Sequence, residues 1–407
     1  MRSWPRPSVP PVAVGEKRMP RLHDTASGAL RDAAPAGDTA TLYVCGITPY
    51  DATHLGHANT YLAFDTLHRL WLDAGLAVRY TQNTTDVDDP LLERAAATGV
   101  DWRELAAEQT ELFREDMAAL RIVPPTDFVA VTDVVGDVAS AVARLVEDGT
   151  GYRVEDDVYF DVKAASNGTW SLGDVSGLGH DEMLALSAER GGDPDRPGKR
   201  DGVDPLLWRA HRDGEPSWDG PVGPGRPGWH IECSVIAAST LRLPITVKGG
   251  GNDLVFPHHE LSAGHTAALE GTSLASLYAH AGMVGYRGEK MSKSLGNLVF
   301  VSKLRGQGVD PRGIRLALLA HHYREDWEYT DADLERALAR VERWSAWAGR
   351  GTGDPGSALV DELRAALAAD LDTPAAVAAV DARVDSGQPP TATDLAAIDA
   401  LLGIDLA

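Results

Sequence analysis

The sequence predicts an α/β protein in which a parallel sheet is followed by a bundle of α-helices. Strand-like apolar segments at 41–45 and 77–83 flank a helix-periodic segment at 57–73. This β–α–β order favours a parallel sheet with right-handed crossovers. Beyond about residue 310 the apolar spacing becomes helical, near 311–322, 331–348, 356–370, 373–385 and 392–402.

The 407 residues are too many for one ordinary core, and their composition divides the chain into five segments. An alternating apolar and polar pattern over 151–162 predicts a hairpin. Residues 164–228 are rich in Gly, Pro, Asp and Arg, which is more typical of a lid than of a core. Strand patterns return at 244–251 and 277–284. The expected organisation is an N-terminal lead-in at 1–40, a first half of the sheet domain at 41–150, an inserted connective or lid region at 151–228, a second half at 229–308, and a helical domain at 309–407.

Composition excludes several classes of protein. The chain is 43% hydrophobic and 24% charged, which is globular, and no apolar run approaches the roughly 18–20 residues of a membrane span. Two distant cysteines cannot form a disulfide framework, so we expect a reducing cytoplasm, and the N-terminus lacks the apolar centre of a signal peptide. The net charge is −22, and residues 331–407 carry six Arg, no Lys and fourteen acidic residues. Such acidity disfavours binding of an extended nucleic-acid backbone.

The first motif with chemical content is HLGH, His54 to His57, between a strand-like segment and a helix. A helix N-terminus offers free N–H groups and the positive end of the helix dipole to an anion. Two histidines at this place can donate hydrogen bonds to a phosphate as charge builds up in a transition state. Taken alone, the pattern favours a turn that carries incidental histidines.

The second motif is KMSKS, Lys290 to Ser294, which Leu295, Gly296 and Asn297 follow. Two lysines on a glycine-bordered loop can neutralise a polyphosphate. An isolated basic pentapeptide is more often a solvated surface loop. The presence of HLGH and KMSKS in one chain favours the phosphate-binding interpretation of both.

A third set of residues has the chemistry of metal ligands. Cys45 ends the first strand, Cys233 lies in WHIEC, and His258 lies in FPHHE. Neither cysteine has a partner within four residues, so this is not a zinc-finger pattern. Two thiolates and one imidazole suit Zn²⁺ with an open fourth position, although two buried free cysteines are the alternative.

Together these motifs resemble the class I aminoacyl-tRNA synthetases, and within them the cysteinyl branch. The resemblance covers about residues 41–330 and includes YVCGITPYDATHLGHA, QNTTDVDD, GWHIEC, GGGNDLVFPHHE and KMSKSLGN. It implies a class I synthetase-like Rossmann (HUP) catalytic domain with an inserted lid, followed by an α-helical bundle.

The resemblance also implies roles for individual residues. His54 and His57 would contact the α-phosphate of ATP, and Lys290 and Lys293 the β- and γ-phosphates with Mg²⁺ as counter-charge. One Zn²⁺ held by Cys45, Cys233 and His258 would bind the thiolate of substrate cysteine. Further implied contacts to cysteine, ATP or the adenylate are Gly46, Ile47, Thr48, Gly56, Thr60, Asn83, Thr84, Thr85, Trp229, Gly251, Asn252, Asp253, Val284, Met291, Ser292 and Ser294.

The chain departs from the cysteinyl-tRNA synthetase pattern in three places. Where that pattern reads PHHENE, this chain reads PHHELS, so Ser262 stands where a glutamate would add a fourth zinc ligand. This is either a neutral change or a three-ligand zinc that the substrate thiolate completes. The ERGGDP segment at 189–194 and the acidic C-terminal part are the other departures. Within ERGGDP, Arg190 and Asp193 either contact an acceptor or form a local ion pair.

These departures resemble the cysteine ligases of mycothiol biosynthesis, a related family whose own motif is ERGGDP. The resemblance implies an ATP-dependent ligase that joins L-cysteine to the amine of a glucosaminyl-inositol through a cysteinyl-adenylate, releasing pyrophosphate and AMP. It further implies small-molecule substrates only, no tRNA, no membrane partner, and a monomer. A cysteinyl-tRNA synthetase that charges tRNA remains the alternative, and a non-catalytic zinc protein is the third interpretation.

Overall fold

The computed structural model describes residues 1–51, 53–166, 168–290, 297–351 and 358–406, with the backbone only at 289 and 290. The N-terminal 40 residues are not merely an extended lead-in. They contain an antiparallel hairpin of β1 (Arg21–Asp24) and β2 (Ala29–Asp32), and the buried Trp4 indole donates to the carbonyl of Ile122 at 2.8 Å. The short strands carry no clear alternation, since β2 is exposed throughout, so the pattern did not predict them.

A parallel sheet forms the centre of the molecule. Its first part comprises β3 (Thr39–Val44), α1 (Leu55–Asp73), β4 (Ala77–Thr84), α2 (Asp89–Thr98), α3 (Trp102–Ala119), β5 (Asp127–Ala130) and α4 (Val135–Glu147). Strands β3 and β4 and helix α1 lie within one or two residues of the bounds that the apolar pattern predicts. Strand β5 was not predicted.

The inserted region is a folded sheet, which corrects the expectation of a lid without a core. It comprises β6 (Gly151–Val154), β7 (Asp157–Phe160), α5 (Val162–Ala165), α6 (His180–Glu189), β8 (Leu206–Ala210) and β9 (Gly225–Pro227). The four strands pair antiparallel in sequence order. Phe160 and Trp208 are buried in one hydrophobic cluster with Ile236 of the catalytic region. The Gly- and Pro-rich composition reflects the turns between short strands.

The second part of the parallel sheet and its flanking sheet follow. They comprise α7 (Trp229–Thr240), β10 (Val247–Gly251), α8 (Glu260–Glu270), β11 (Tyr278–Ala281), β12 (Val284–Tyr286) and β13 (Glu289–Lys290). The central strand order is β11-β10-β3-β4-β5, all parallel. Strands β4 and β5 are added on one side of β3, and β10 and β11 on the other, so the strand order reverses between β3 and β10. Open α/β sheets bind ligands at the carboxyl ends of the strands at such a switch point.

The C-terminal part is helical, as the sequence predicts. It comprises α9 (Val301–Gly306), α10 (Pro311–Leu319), β14 (Trp327–Tyr329), α11 (Asp331–Ala348), α12 (Ala358–Ala368), α13 (Thr373–Asp385), α14 (Ala392–Ala397) and a π-helical turn at Ile398–Leu402. Helix α11 starts at a capping box of Thr330 and Asp333. Trp344 and Trp347 are fully buried in the cluster that also contains Trp71 of α1, so this bundle packs directly on the sheet domain. Among the described residues, no helix combines the length and the apolar character needed to cross a bilayer.

Candidate active site and metal centre

Three potential metal ligands converge at the carboxyl ends of β3 and β10. Cys45 directly follows β3, Cys233 lies in α7, and His258 lies in the irregular turn after β10. All three are buried, and their ligand atoms lie within 4.8 Å of one another. His258 Nε2 is 3.2 Å from Cys233 Sγ, and the two sulfur atoms are 3.9 Å apart. Residues separated by up to about 200 positions in the sequence thus form one group with two sulfur donors and one nitrogen donor.

The close approach of β3 and β4 determines where Cys45 lies. A Cβ atom at position 46 would collide with the carbonyl of Asn83 on β4, so only glycine fits after Cys45. The Gly46 N–H donates to Asn83 Oδ1 at 2.9 Å, and the Tyr61 hydroxyl donates to the Cys45 carbonyl at 3.2 Å. The backbone that carries the Cys45 thiol is therefore held from two sides.

Three further buried polar residues complete this centre; of these, the sequence singled out only His259, as a structural neighbour of His258. Lys248 Nζ is 3.5 Å from Cys45 Sγ and 4.5 Å from the centre of the Tyr43 ring. His259 Nε2 is 3.3 Å from Cys45 Sγ, and its Nδ1 is 2.7 Å from His280 Nε2. The available signal was Lys248 itself, because a lysine inside the apolar strand pattern of 244–251 is rarely buried without a partner.

The two thiols of the cluster are electrostatically different. Burial raises the pKa of Cys45, but the hydrogen bond with Cys233 and the charge of Lys248 outweigh burial and lower it to about 7. The hydrogen bond with Cys45 and burial both raise the pKa of Cys233. Cys45 is therefore the more acidic of the two thiols.

The Ser262 hydroxyl is bonded to backbone carbonyls. Its hydroxyl donates to the His258 carbonyl at 2.6 Å and lies 3.1 Å from the His230 carbonyl, and the side chain is fully buried on α8. This arrangement favours the interpretation in which three protein ligands leave one position open.

The HLGH segment forms the start of α1. His54 is the N-cap residue, and its Nδ1 accepts hydrogen bonds from the N–H groups of Gly56 at 3.1 Å and His57 at 3.4 Å. A neutral imidazole that accepts at Nδ1 carries its proton on Nε2, which is then a hydrogen-bond donor. The rings of His54 and His57 stack at 3.7 Å. Two of the helix N–H groups that were expected to face an anion are thus hydrogen-bonded to His54. The donor that this position offers instead is His54 Nε2.

A cavity of roughly 370 Å³ joins the HLGH segment to the thiol cluster. The residues named from the sequence that line it are Cys45, Gly46, Ile47, Thr48, His54, Gly56, His57, Thr60, Trp229, Gly251, Asp253 and Val284. Lining residues that the sequence did not indicate are Tyr50, Tyr61, Leu254, Gly282, Met283 and Leu298. The volume is in the range of small-molecule sites, about 300–1,000 Å³.

Other expected site residues lie outside this cavity wall. Asn83, Thr84 and Thr85 are buried behind it, where Asn83 Nδ2 donates to Thr85 Oγ1 at 3.1 Å and Thr85 Oγ1 donates to Glu232 at 3.3 Å. Asn252 begins the 3₁₀ turn at Asn252–Leu254. Of the KMSKS segment, only the backbone of Lys290 belongs to the described residues. The described residues do not include Met291, Ser292, Lys293, Ser294 or the side chain of Lys290, for which the resemblance implies site roles.

The family described as tRNA synthetases class I (C) catalytic domain matches residues 34–339. The chain belongs to this family. It is 62% identical over its whole length to the L-cysteine:1D-myo-inositol 2-amino-2-deoxy-alpha-D-glucopyranoside ligase of Clavibacter michiganensis, of which it covers 99%. The ligase of the same name from Micrococcus luteus is 59% identical over 94% of this chain and 92% of that protein. Within the class I (C) family, the chain therefore groups with these carbon–nitrogen ligases.

Solved structures support the same fold. The methionyl-tRNA synthetase of Mycobacterium tuberculosis in complex with methionyl-adenylate superposes with a TM-score of 0.62 at 18% identity, covering 90% of this chain and 88% of that one. The class I synthetase-like fold expected from HLGH and KMSKS is thus confirmed.

The ERGGDP segment reaches this class I site through Arg190. The Arg190 guanidinium donates to the Asp253 carbonyl at 2.5 Å and to the Phe256 carbonyl. Asp193, by contrast, forms an ion pair with Lys199 at 3.0 Å and accepts from the Tyr159 hydroxyl at 2.5 Å. Asp193 therefore forms its ion pair with Lys199, and Arg190 contacts the backbone between the cavity and His258. Contact of either residue with an acceptor stays a prediction.

Proposed function

We propose that the chain joins L-cysteine to the amine of an aminoglucosyl-inositol at the expense of ATP. The observation that carries this proposal is the Cys45–Cys233–His258 group, whose Cys45 lies in the wall of the cavity that His54 and His57 also line. The names of the full-length relatives supply the acceptor.

In the proposed first step, a carboxylate oxygen of cysteine attacks the α-phosphorus of ATP, and pyrophosphate leaves. In the second step, the acceptor amine attacks the carbonyl carbon of the adenylate, AMP leaves, and the amine loses a proton. The chain's contribution is positioning and charge stabilisation. The His54 donor at the start of α1 faces the site of phosphate charge, and Lys290 and Lys293 remain the proposed partners of the β- and γ-phosphates and Mg²⁺.

The donor set of Cys45, Cys233 and His258 fits a Zn²⁺ ion, which takes four ligands and favours sulfur and imidazole nitrogen. Three protein ligands leave one position for the thiolate of cysteine. When bound, the ion would supply a metal–sulfur bond that serine cannot match, because a hydroxyl is far less acidic than a thiol. Ser262, with its hydroxyl bonded to backbone carbonyls, keeps the fourth position open.

We further propose that the enzyme acts as a monomer in the cytoplasm and does not use tRNA. The observations in support are the two free cysteines and the acidic residues of 331–407, which would repel a nucleic-acid backbone. Charging of tRNA is the second candidate, because it is the activity in the family's description.

AMP release from purified protein, ATP and cysteine decides between these candidates. We expect AMP to form when the aminoglucosyl-inositol is added and to remain at background level with tRNA specific for cysteine. AMP formation with tRNA alone would replace the proposed function by the second candidate.

A further inference from the structure

A second, larger cavity of roughly 920 Å³ adjoins the first. Thr48, Tyr50 and Trp229 line both cavities, so the two meet at the end of the first cavity that contains the thiol cluster. The second cavity extends under the inserted sheet, along β8 and along the Gly191–Asp193 part of ERGGDP. The Arg190 contacts with Asp253 and Phe256 hold the ERGGDP segment against the first cavity.

The wall of this second cavity is made of paired charges. Seven carboxylate side chains and five arginines line it. Buried Asp157 receives Arg196 at 2.6 Å, Arg212 at 3.0 Å and the N–H of Ala210 at 2.8 Å.

A second group of paired charges lies nearer to α2. Asp89 receives Arg209 at 3.0 Å and also Arg226, which contacts Glu215 at 3.0 Å. The wall as a whole therefore offers many fixed donors and acceptors without an excess of positive charge.

We propose that this second cavity binds the hydroxyl groups of the acceptor's sugar and inositol rings, with Arg209 and Arg212 as specificity-determining residues. The proposal rests on the proposed function, because it assigns the acceptor of that reaction to a place. The acceptor's amine would lie at the junction formed by Thr48, Tyr50 and Trp229, next to the activated carbonyl.

The chemistry of the wall fits a neutral polyol that carries one cationic amine. Each hydroxyl both donates and accepts, and guanidinium–carboxylate pairs present both functions at fixed positions. Two aromatic residues, Tyr50 and Trp229, offer apolar faces to the C–H faces of a sugar ring at the junction. A wall with more carboxylates than arginines would repel the phosphates of a tRNA acceptor end.

Single truncations can test this placement because each leaves its carboxylate partner paired. Arg212→Ala leaves Asp157 with Arg196, and Arg209→Ala leaves Asp89 with Arg226. We expect the KM for the acceptor to rise about tenfold in each variant, as for the loss of a charge-assisted hydrogen bond. Cysteine-dependent ATP–pyrophosphate exchange, which needs only the first cavity, should stay within about twofold of the starting protein.

Arg153→Ala is the matched control. Arg153 lies on β6 of the same sheet, is exposed, and donates to the carbonyls of Asp156 and Val222 instead of lining the cavity. An unchanged acceptor KM in both test variants, or an equal loss of exchange and ligation, would overturn the placement. If the unmodified protein performs exchange but forms no amide with the aminoglucosyl-inositol, the proposed function itself fails.

Discussion

Lys248 places a positive charge in the protein interior beside Cys45. Its Nζ is 3.5 Å from Cys45 Sγ, and the side chain is fully buried. A divalent ion held by two thiolates and one neutral imidazole forms a neutral group. The thiolate of substrate cysteine would add one negative charge, and an uncompensated buried charge costs several kcal/mol. The Lys248 ammonium would offset that cost.

Replacing Lys248 by Met keeps most of the side-chain volume and removes the charge. We expect the KM for cysteine in ATP–pyrophosphate exchange to rise about tenfold or more, with the KM for ATP within about twofold. Lys303→Met is a control because Lys303 is exposed on α9. If the KM for cysteine does not move, Lys248 has no part in binding cysteine.

We expect Ser262→Ala and His258→Ala to have opposite effects on the metal content of the protein. Because the Ser262 hydroxyl bonds to the carbonyls of His258 and His230, Ser262→Ala should keep one ion per chain and cost about 1 kcal/mol of folding stability. His258→Ala removes a ligand atom and should lose the ion together with cysteine-dependent exchange. Native mass spectrometry measures the ion content. Loss of the ion in Ser262→Ala would add Ser262 to the ligands.

At the scale of elements, two links tie the inserted region to the site. Arg190, at the end of α6, donates to the carbonyls of Asp253 and Phe256 in the segment that connects the cavity wall at Gly251 with His258. Glu260, the first residue of α8, accepts from the Trp170 indole at 2.9 Å and from the N–H of Ser176 at 2.7 Å. The turns that carry Asp253 and His258 are therefore held from both sides by the inserted region.

Arg190→Ala should release the Asp253–Phe256 segment. We expect kcat/KM for ATP in pyrophosphate exchange to fall about tenfold to a hundredfold, because small misplacements of positioning groups cost that much. Arg190→Lys, which retains a donor, should recover part of the loss. Arg103→Ala on the exposed face of α3 is the control, since its side chain is 67% exposed. An Arg190→Ala variant with unaltered kcat/KM for ATP would show that the segment holds its position without this contact.

The sequence predicted those elements whose periodicity is long and uninterrupted. Helices α11 and α13 have the predicted bounds, because each presents one apolar face to the bundle. Alternation over 151–162 predicted the β6–β7 hairpin of the inserted sheet. The β1–β2 hairpin and strands β8 and β9 were missed because strands of three to five residues show too little alternation. The sequence indicated Cys45, Cys233 and His258 as metal ligands because of their sulfur and nitrogen donor atoms. That Lys248 and His259 lie beside Cys45 is visible only in the structure.

At the scale of the whole molecule, a buried charge cluster joins the sheet domain to the C-terminal bundle. Asp65 on α1 receives Arg69 at 2.8 Å, the N–H of Val123 at 2.7 Å, and Arg315 of α10. Burial raises the pKa of Asp65, but Arg69 and Arg315 outweigh it and keep the carboxyl charged. Arg315 also donates to the carbonyl of Leu402 at 2.6 Å, so one residue connects α1, α10 and the C-terminal turn.

Arg315→Met tests whether this cluster makes the bundle part of one cooperative unit. Methionine fills part of the space but leaves Asp65 with one cation fewer and the buried Leu402 carbonyl without its donor. We expect a loss of about 3–5 kcal/mol, as measured for broken buried ion pairs, in a single urea-unfolding transition followed by circular dichroism and tryptophan fluorescence. Arg336→Ala, which breaks an exposed pair with Asp333, should change stability by less than about 1 kcal/mol. An early separate transition in Arg315→Met would instead mean that the bundle unfolds independently of the sheet domain.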